Sequence, residues 1–190
     1  NFQADLKLDG TRATKATLAS AIIAGDLDGV AWDIAGVMGK LIVRRTARNS
    51  TVRSTGSMGS ITLGAADGSD FLAGMKASAV RHGQSADDFQ DTSAGIKSFK
   101  IAGLKMPKGQ APPRWFFSDS NLSCAWIGAV SLLNVKFDNL GTGFGIWARD
   151  TTPGNEIKSV KWADTQDKGA KGRWLGLALT TPDLKVEQLL

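Results

Sequence analysis

The sequence predicts an all-β fold, a right-handed parallel β-helix (solenoid) of about five to six coils with loop insertions and terminal caps. The first observation is a recurring six-residue pattern: MGKLIV (38–43), MGSITL (58–63), IKSFKI (96–101), IGAVSL (127–132), IKSVKW (157–162) and a weaker first copy, LASAII (18–23). The second is the twenty-residue offset between the two closest copies, which is shorter than the roughly 30 residues of a βαβ unit. The third is composition, because 22 glycines against 5 prolines suit many tight corners.

Each copy reads as a corner that leads into a short strand. Its fourth and sixth residues are apolar and alternate with the fifth, which is typical of a strand with one buried face. The first residue lies three before the fourth, so we expect a bend, which Gly39, Gly59 and Gly128 would permit. Stacked coils would place Met38 over Met58, and the predicted core columns contain Leu41, Val43, Ile61, Leu63, Val130, Leu132 and Val160. The alternative is an antiparallel β-sandwich whose strands resemble one another by chance.

The whole chain, residues 1–190, is long enough to bury one core and is predicted to be a single domain. Polar residues at 1–16 are expected to cap the open end of the core. The apolar last stretch, 163–190, is expected to be a closing strand and C-terminal cap. Between them, coils over 17–162 are interrupted by three predicted insertions, at 76–95, 104–117 and 152–156.

Composition excludes several classes of site. The only cysteine, Cys124, cannot form an internal disulfide and is expected to face the core as a small apolar residue. Paired-cysteine metal sites are excluded, and neither a metal nor a cofactor is predicted. No stretch approaches the roughly 18 apolar residues of a membrane span. Because the chain begins with Asn1, a signal peptide or larger precursor is expected to have been removed.

The charge balance favours an acidic partner. A net charge of +5 and a pI near 9.5 suit an anionic glycan or a nucleic acid. The most basic linker, RRTARNSTVR (44–53), has no interleaved aromatic residues, so base stacking has no platform there. Nucleic acid is therefore not predicted as a partner.

Two longer stretches carry a family resemblance: STVRSTGSMGSITLGAADGSDFLAG (50–74) and NLSCAWIGAVSLLNVKFDNLGTGFGI (121–146). They resemble the uncharacterised right-handed parallel β-helix repeats of large surface or exported proteins from planctomycetes and related bacteria. The resemblance covers about residues 17–162. It implies a β-helix and an extracellular or cell-surface location, and it implies no enzyme activity.

Candidate catalytic groups are confined to the first insertion. Glycoside hydrolysis needs two carboxylates held across the bond. Asp87 and Asp88 are adjacent, so in a strand they would point to opposite faces, and Asp91 could join Asp87 only in a suitable loop. These three form the alternative acidic site. The only histidine, His82, has no carboxylate at a fixed spacing, so no catalytic residue is predicted.

Candidate binding residues lie in the second insertion. Trp115 and Phe116, beside Arg114 and Lys108, could stack on a sugar face or dock a partner protein. The alternative is that these aromatic side chains cover the core beneath the loop.

The sequence therefore predicts a non-catalytic structural or adhesive β-solenoid module of an exported or cell-surface bacterial protein within a larger assembly. Its expected partners are a protein or a cell-surface glycan, and exposed strand edges favour self-association. The alternative function is a polysaccharide-binding or polysaccharide-degrading β-helix, either a lyase or a hydrolase.

Overall fold

The computed structural model describes residues 1–10, 15–149, 157–167, 169–173, 181 and 183–189. These residues form an all-β fold with one short 3-10 helix at Ala86–Asp88. The predicted insertion at 152–156 lies outside the described residues. The described strands are β1 (Leu6–Leu8), β2 (Ala16–Ile23), β3 (Leu27–Asp28), β4 (Ala31–Ile34), β5 (Val37–Arg48), β6 (Thr51–Ser54), β7 (Met58–Asp67), β8 (Asp70–Ala73), β9 (Gly95–Ile101), β10 (Phe117–Ser118), β11 (Asn121–Cys124), β12 (Trp126–Leu133), β13 (Phe144–Arg149), β14 (Ile157–Ala163), β15 (Lys171–Arg173) and β16 (Leu184–Leu189).

The strands alternate between two parallel sheets. The nine-stranded sheet has the order β15-β14-β12-β9-β7-β5-β2, with β3 pairing β5 and β10 pairing β7 at its margin. The seven-stranded sheet has the order β1-β4-β6-β8-β11-β13-β16. Among the described strands, the one antiparallel pairing joins β14 to β15. The prediction of an all-β chain with parallel strands is confirmed.

The repeated hexads pair with one another in register. Met38 lies opposite Met58 and Leu41 opposite Ile61 in the parallel pairing of β5 with β7, as predicted. The weak first copy also pairs as a repeat, since Leu18 lies opposite Met38 on β2. The same alignment continues through β9, β12 and β14. Residues that are equivalent in sequence therefore lie side by side in space.

The core lies between the two sheets, and the predicted inward residues fill it. None of the following has more than 2% of its surface exposed: Leu41, Val43, Ile61, Leu63, Val130, Leu132 and Val160. Aromatic rings run through the same core, with Phe99 making edge-on contacts to Phe71 at 5.4 Å and to Phe117 at 6.1 Å between ring centroids. The strand phase read from the hexads is confirmed.

The hexad glycines are required because adjacent strands stack closely. A Cβ atom on Gly59 would lie 1.9 Å from the carbonyl oxygen of Gly39, and one on Gly128 would lie 2.0 Å from that of Lys97. Both separations are far inside van der Waals contact. Glycine at these positions thus permits the approach of the neighbouring strand.

A second repeated element is the corner that leaves the nine-stranded sheet. There a residue in the left-handed region precedes a buried serine in the pairs Asn49–Ser50, Gly68–Ser69 and Asp119–Ser120. The backbone N–H of Ser50 donates to Oγ of Ser69 at 3.2 Å, and that of Ser69 to Oγ of Ser120 at 3.1 Å. The serines therefore form a ladder that satisfies backbone groups at successive buried corners.

The ends and the remaining insertions extend this framework. Residues 6–8 form β1, the outermost strand of the seven-stranded sheet, and Phe2 forms an isolated parallel bridge with Leu27. The 104–117 segment leads from β9 to β10. The division into a cap at 1–16, coils at 17–162 and a closing element at 163–190 stays a prediction.

Candidate functional site

The first insertion folds onto the outer face of the seven-stranded sheet. A small apolar cluster holds it there, formed by Leu72, Met75, Ala79 and Phe89 with Leu189 packed against them. The Arg53 guanidinium adds two hydrogen bonds of 2.7 Å, to the backbone carbonyls of Lys76 and Ala79. The segment is thus anchored by both apolar and polar contacts.

The acidic residues of this insertion shape the loop itself. Asp88 accepts hydrogen bonds from the backbone N–H groups of Gln84 at 2.7 Å and Ser85 at 3.3 Å. Asp91 accepts from the N–H of Ser93 at 2.9 Å and from its hydroxyl at 2.7 Å. Asp87 is exposed on the 3-10 helix. The structure therefore uses Asp88 and Asp91 in local turns, separate from Asp87.

Beneath the insertion lies a buried polar cluster. Asn121 is fully buried, and its Oδ1 accepts from the Gly145 N–H at 3.0 Å and the Trp147 Nε1–H at 3.1 Å. Its Nδ2 donates to Asp70 Oδ1 at 2.8 Å. The His82 ring stacks on Trp147, with 4.0 Å between ring centroids and 8° between planes. Residues from four segments thus meet at one place.

Charges at the edge of this cluster are paired. Arg81 forms an ion pair with Asp119, which also accepts a hydrogen bond of 2.9 Å from Asn139 Nδ2. Burial raises the pKa of Asp70, whereas the Asn121 hydrogen bond and the charge of Arg81 oppose that shift. A carboxyl group with a raised pKa is the kind of group that serves as a general acid.

Sequence reasoning missed this polar cluster, because Asp70 fits a Gly- and Asp-containing turn and His82 fits a surface position. The signal was the alignment of DFLA (70–73) with NLSC (121–124), which places Asp70 opposite Asn121 in neighbouring strands. Only correct pairing of β8 with β11, across a 51-residue separation, exposes the contact.

The second insertion places its predicted binding residues in different environments. Arg114 Nη1 donates to Asp164 Oδ1 at 2.8 Å, and its guanidinium carbon lies 4.2 Å from the Trp115 ring centroid. This bond holds the pKa of Asp164 well below its usual range. Phe116 is buried in the core, as the alternative interpretation expected. Lys108 is exposed in the preceding turn.

Arg114 and Trp115 line a cleft of about 310 Å³ together with Arg48 and Asp67. The structure therefore joins two of the four predicted residues in one cleft, whereas Phe116 and Lys108 are not among its lining residues. Phe116 cannot stack on a ligand there, because only 4% of its surface is exposed. Binding by Arg114 and Trp115 stays a prediction.

A larger groove of about 640 Å³ lies on the outer face of the nine-stranded sheet. It runs across β9, β12, β14 and β15, with Lys100, Lys161 and Arg173 along it. The cationic side chains along the groove could have been predicted from the hexads IKSFKI and IKSVKW, whose second and fifth residues are lysines. The sequence interpretation used those positions only to assign the outer face.

No protein-family model matches the chain, and neither the curated proteins nor the solved structures compared with it include a significant match. The residues that the structure describes include no group of three or more His, Cys, Asp or Glu side chains placed to hold a metal ion. Within the same part of the chain, no helix has the length and apolar character needed to cross a membrane.

Proposed function

We propose that the chain is a right-handed parallel β-solenoid that serves as a non-catalytic structural or adhesive module of an exported or cell-surface bacterial protein. The observation that carries the proposal is the in-register parallel pairing of successive hexads from β2 to β14. Between these strands the chain visits the second parallel sheet, as a coil would. Right-handedness follows the general rule for connections between parallel strands.

This arrangement suits a load-bearing or surface-presenting role. Each unit contacts mainly its neighbours, so the core and the backbone ladders continue from one unit to the next. The outer face of the nine-stranded sheet is a regular, exposed surface on which side chains repeat at the strand spacing. The proposed location rests on the resemblance to exported planctomycete-type repeats.

The contacts of the acidic residues support a non-catalytic role. Asp88 and Asp91 are engaged in turns of their own loop. A pair of carboxylates working on a glycosidic bond would instead face a shared cleft. The insertion thus uses two of its three acidic side chains to fix its own conformation.

The alternative, a polysaccharide lyase or hydrolase, is favoured by one observation. Asp70 has a raised pKa and lies in a cluster with His82 and Arg81. The residue is only 9% exposed, however, and its Oδ1 is held by Asn121. We therefore place this function second.

The test is a turnover assay on a panel of neutral and anionic polysaccharides, with and without calcium. New reducing ends and unsaturated products would be measured over a long incubation with excess protein. We expect neither product. Turnover that disappears in Asp70→Asn or in Asp87→Asn, but persists in the matched surface variant Asp138→Asn, would replace the structural role by the enzymatic one.

A further inference from the structure

Three of four neighbouring strands carry basic residues, and none of the four carries an acidic residue. The four are β9, β12, β14 and β15, which read GIKSFKI, WIGAVSLL, IKSVKWA and KGR. All six of their cationic side chains are exposed, and we call this set the basic face: Lys97, Lys100, Lys158, Lys161, Lys171 and Arg173. The ion pairs formed between described residues involve Arg45, Arg81 and Arg114, and none includes the basic face.

The cations lie in rows set by the parallel register. Lys100 and Lys161 both pair with Ser131, from opposite sides, so they are two strand spacings or about 10 Å apart. Arg173 lies opposite Lys161 in the next strand and extends the same row. Ile96 and Ile157 pair with Ile127 from opposite sides. Lys97 directly follows Ile96 and Lys158 directly follows Ile157, so these two lysines form a second row and are also two strand spacings apart.

The groove between these cations has an apolar floor. Ala102, Leu133, Trp162 and Ala163 are among the residues that line it. The Trp162 ring packs closely on the neighbouring strand, since a Cβ on Gly172 would lie 2.0 Å from it. The indole also meets the Phe137 ring edge-on, with 6.4 Å between ring centroids, and packs against the core. An indole held in this way is a poor platform for successive bases. An apolar floor suits the C–H face of a sugar ring.

We propose that the basic face binds a linear anionic polysaccharide that carries carboxylate or sulfate groups. Six like charges that have no ion-pair partner among the described residues repel one another. A polymer that carries anions along its length relieves that repulsion. Rows in which the cations stand one or two strand spacings apart fit an extended polymer that runs across the strands. The inference deepens the proposed function, because it names the ligand class of an adhesive module.

The binding experiment compares four polymers by isothermal titration calorimetry with the intact chain. Alginate supplies carboxylates, dextran sulfate supplies sulfates, unmodified dextran supplies neither, and a single-stranded oligothymidylate represents nucleic acid. We expect alginate or dextran sulfate to bind, and unmodified dextran not to bind. Binding should disappear near 1 M salt, where the Debye length falls from about 8 Å to about 3 Å.

Two variant pairs locate the site. In Lys100→Glu with Lys161→Glu, affinity should fall at least about tenfold, since two attractive contacts become repulsive. The milder pair Lys100→Gln with Lys161→Gln should lose about threefold, and it remains informative if the charge reversals destabilise the fold. The matched control, Lys7→Glu with Lys15→Glu, makes the same change in net charge on exposed lysines far from the groove and should bind as the unmodified chain does.

The results separate this inference from the proposed function. The assignment of the basic face as a polysaccharide-binding site would be overturned if the control pair lost as much polysaccharide affinity as the Lys100 and Lys161 variants. It would also be overturned if the oligothymidylate bound more tightly than both anionic polysaccharides. The failure of alginate and dextran sulfate to bind would overturn it as well. Cleavage of a bound polymer would refute the non-catalytic role while leaving the basic face as its binding site.

Discussion

Replacing Asn121 by alanine removes the centre of the buried polar cluster. The change leaves the Gly145 N–H, the Trp147 Nε1–H and the Asp70 carboxyl without their present partner. An unsatisfied buried group costs about 1–3 kcal/mol. Allowing for partial relaxation, we expect Asn121→Ala to lower the free energy of unfolding by about 3–6 kcal/mol, a large share of a typical domain's stability.

The loss of stability in Asn121→Ala should also depend on pH. Burial raises the pKa of Asp70 above its value in the unfolded chain, and the Asn121 hydrogen bond opposes that rise. A raised folded-state pKa means that the folded state favours the neutral carboxyl group, so stability is lost as pH rises through that pKa. Without Asn121 the pKa rises further. The loss of unfolding free energy caused by Asn121→Ala should therefore be larger at neutral pH than below the pKa of an unfolded aspartate.

Urea unfolding followed by far-ultraviolet circular dichroism measures the effect at both pH values. The control is Ser123→Ala on the same strand, whose hydroxyl accepts one long bond of 3.4 Å from the Gly83 N–H. It should cost about 1 kcal/mol. If Asn121→Ala cost no more than this control, or the same at both pH values, the reasoning about the cluster would be refuted.

Three further predictions concern the core, the thiol and the second insertion. Ile61→Asp should prevent folding, because it places a charge at a site that is 1% exposed. The control Thr62→Asp, on the outer face, should fold. A native melting temperature for Ile61→Asp would contradict the strand phase. Burial raises the pKa of the Cys124 thiol, so a thiol reagent should react only after denaturation, and rapid labelling of the folded chain would contradict its buried position. In a carbon-13 NMR titration, Arg114→Gln should raise the pKa of Asp164 toward its ordinary value, while the control Arg48→Gln should leave it unchanged. An unchanged Asp164 pKa in Arg114→Gln would rule out the ion pair between Arg114 and Asp164.

The sequence was sufficient for the strand phase because the hexads combine two constraints. Alternation at Leu41 and Val43 defines which face is buried, and repetition at Ile61 and Leu63 defines what lies beside it. Both are local and can be read without knowing the fold.

The contacts beyond the hexads depend on long-range pairing. The interaction of Asn121 with Asp70 spans 51 residues, and the stacking of His82 on Trp147 requires the insertion to lie on the seven-stranded sheet. Neither contact can be read from the alternation within a single hexad. The basic face could be predicted only in part from the sequence. Four of its lysines occur in two hexads, but Lys171 and Arg173 join them only through the antiparallel strand β15.

The central claim is that the repeats stack in register as parallel neighbours. Lys40, Ser60, Ser98, Ala129 and Ser159 lie side by side on consecutive strands. Spin labels at Lys40→Cys and Ser159→Cys therefore sit four strand spacings apart, or about 19 Å between Cα atoms. Cys124 is buried and stays unlabelled, and singly labelled chains reveal any distances between molecules. Double electron–electron resonance should give one peak near this separation, broadened by the labels. A peak beyond about 30 Å, more than six strand spacings, would contradict the stacked arrangement.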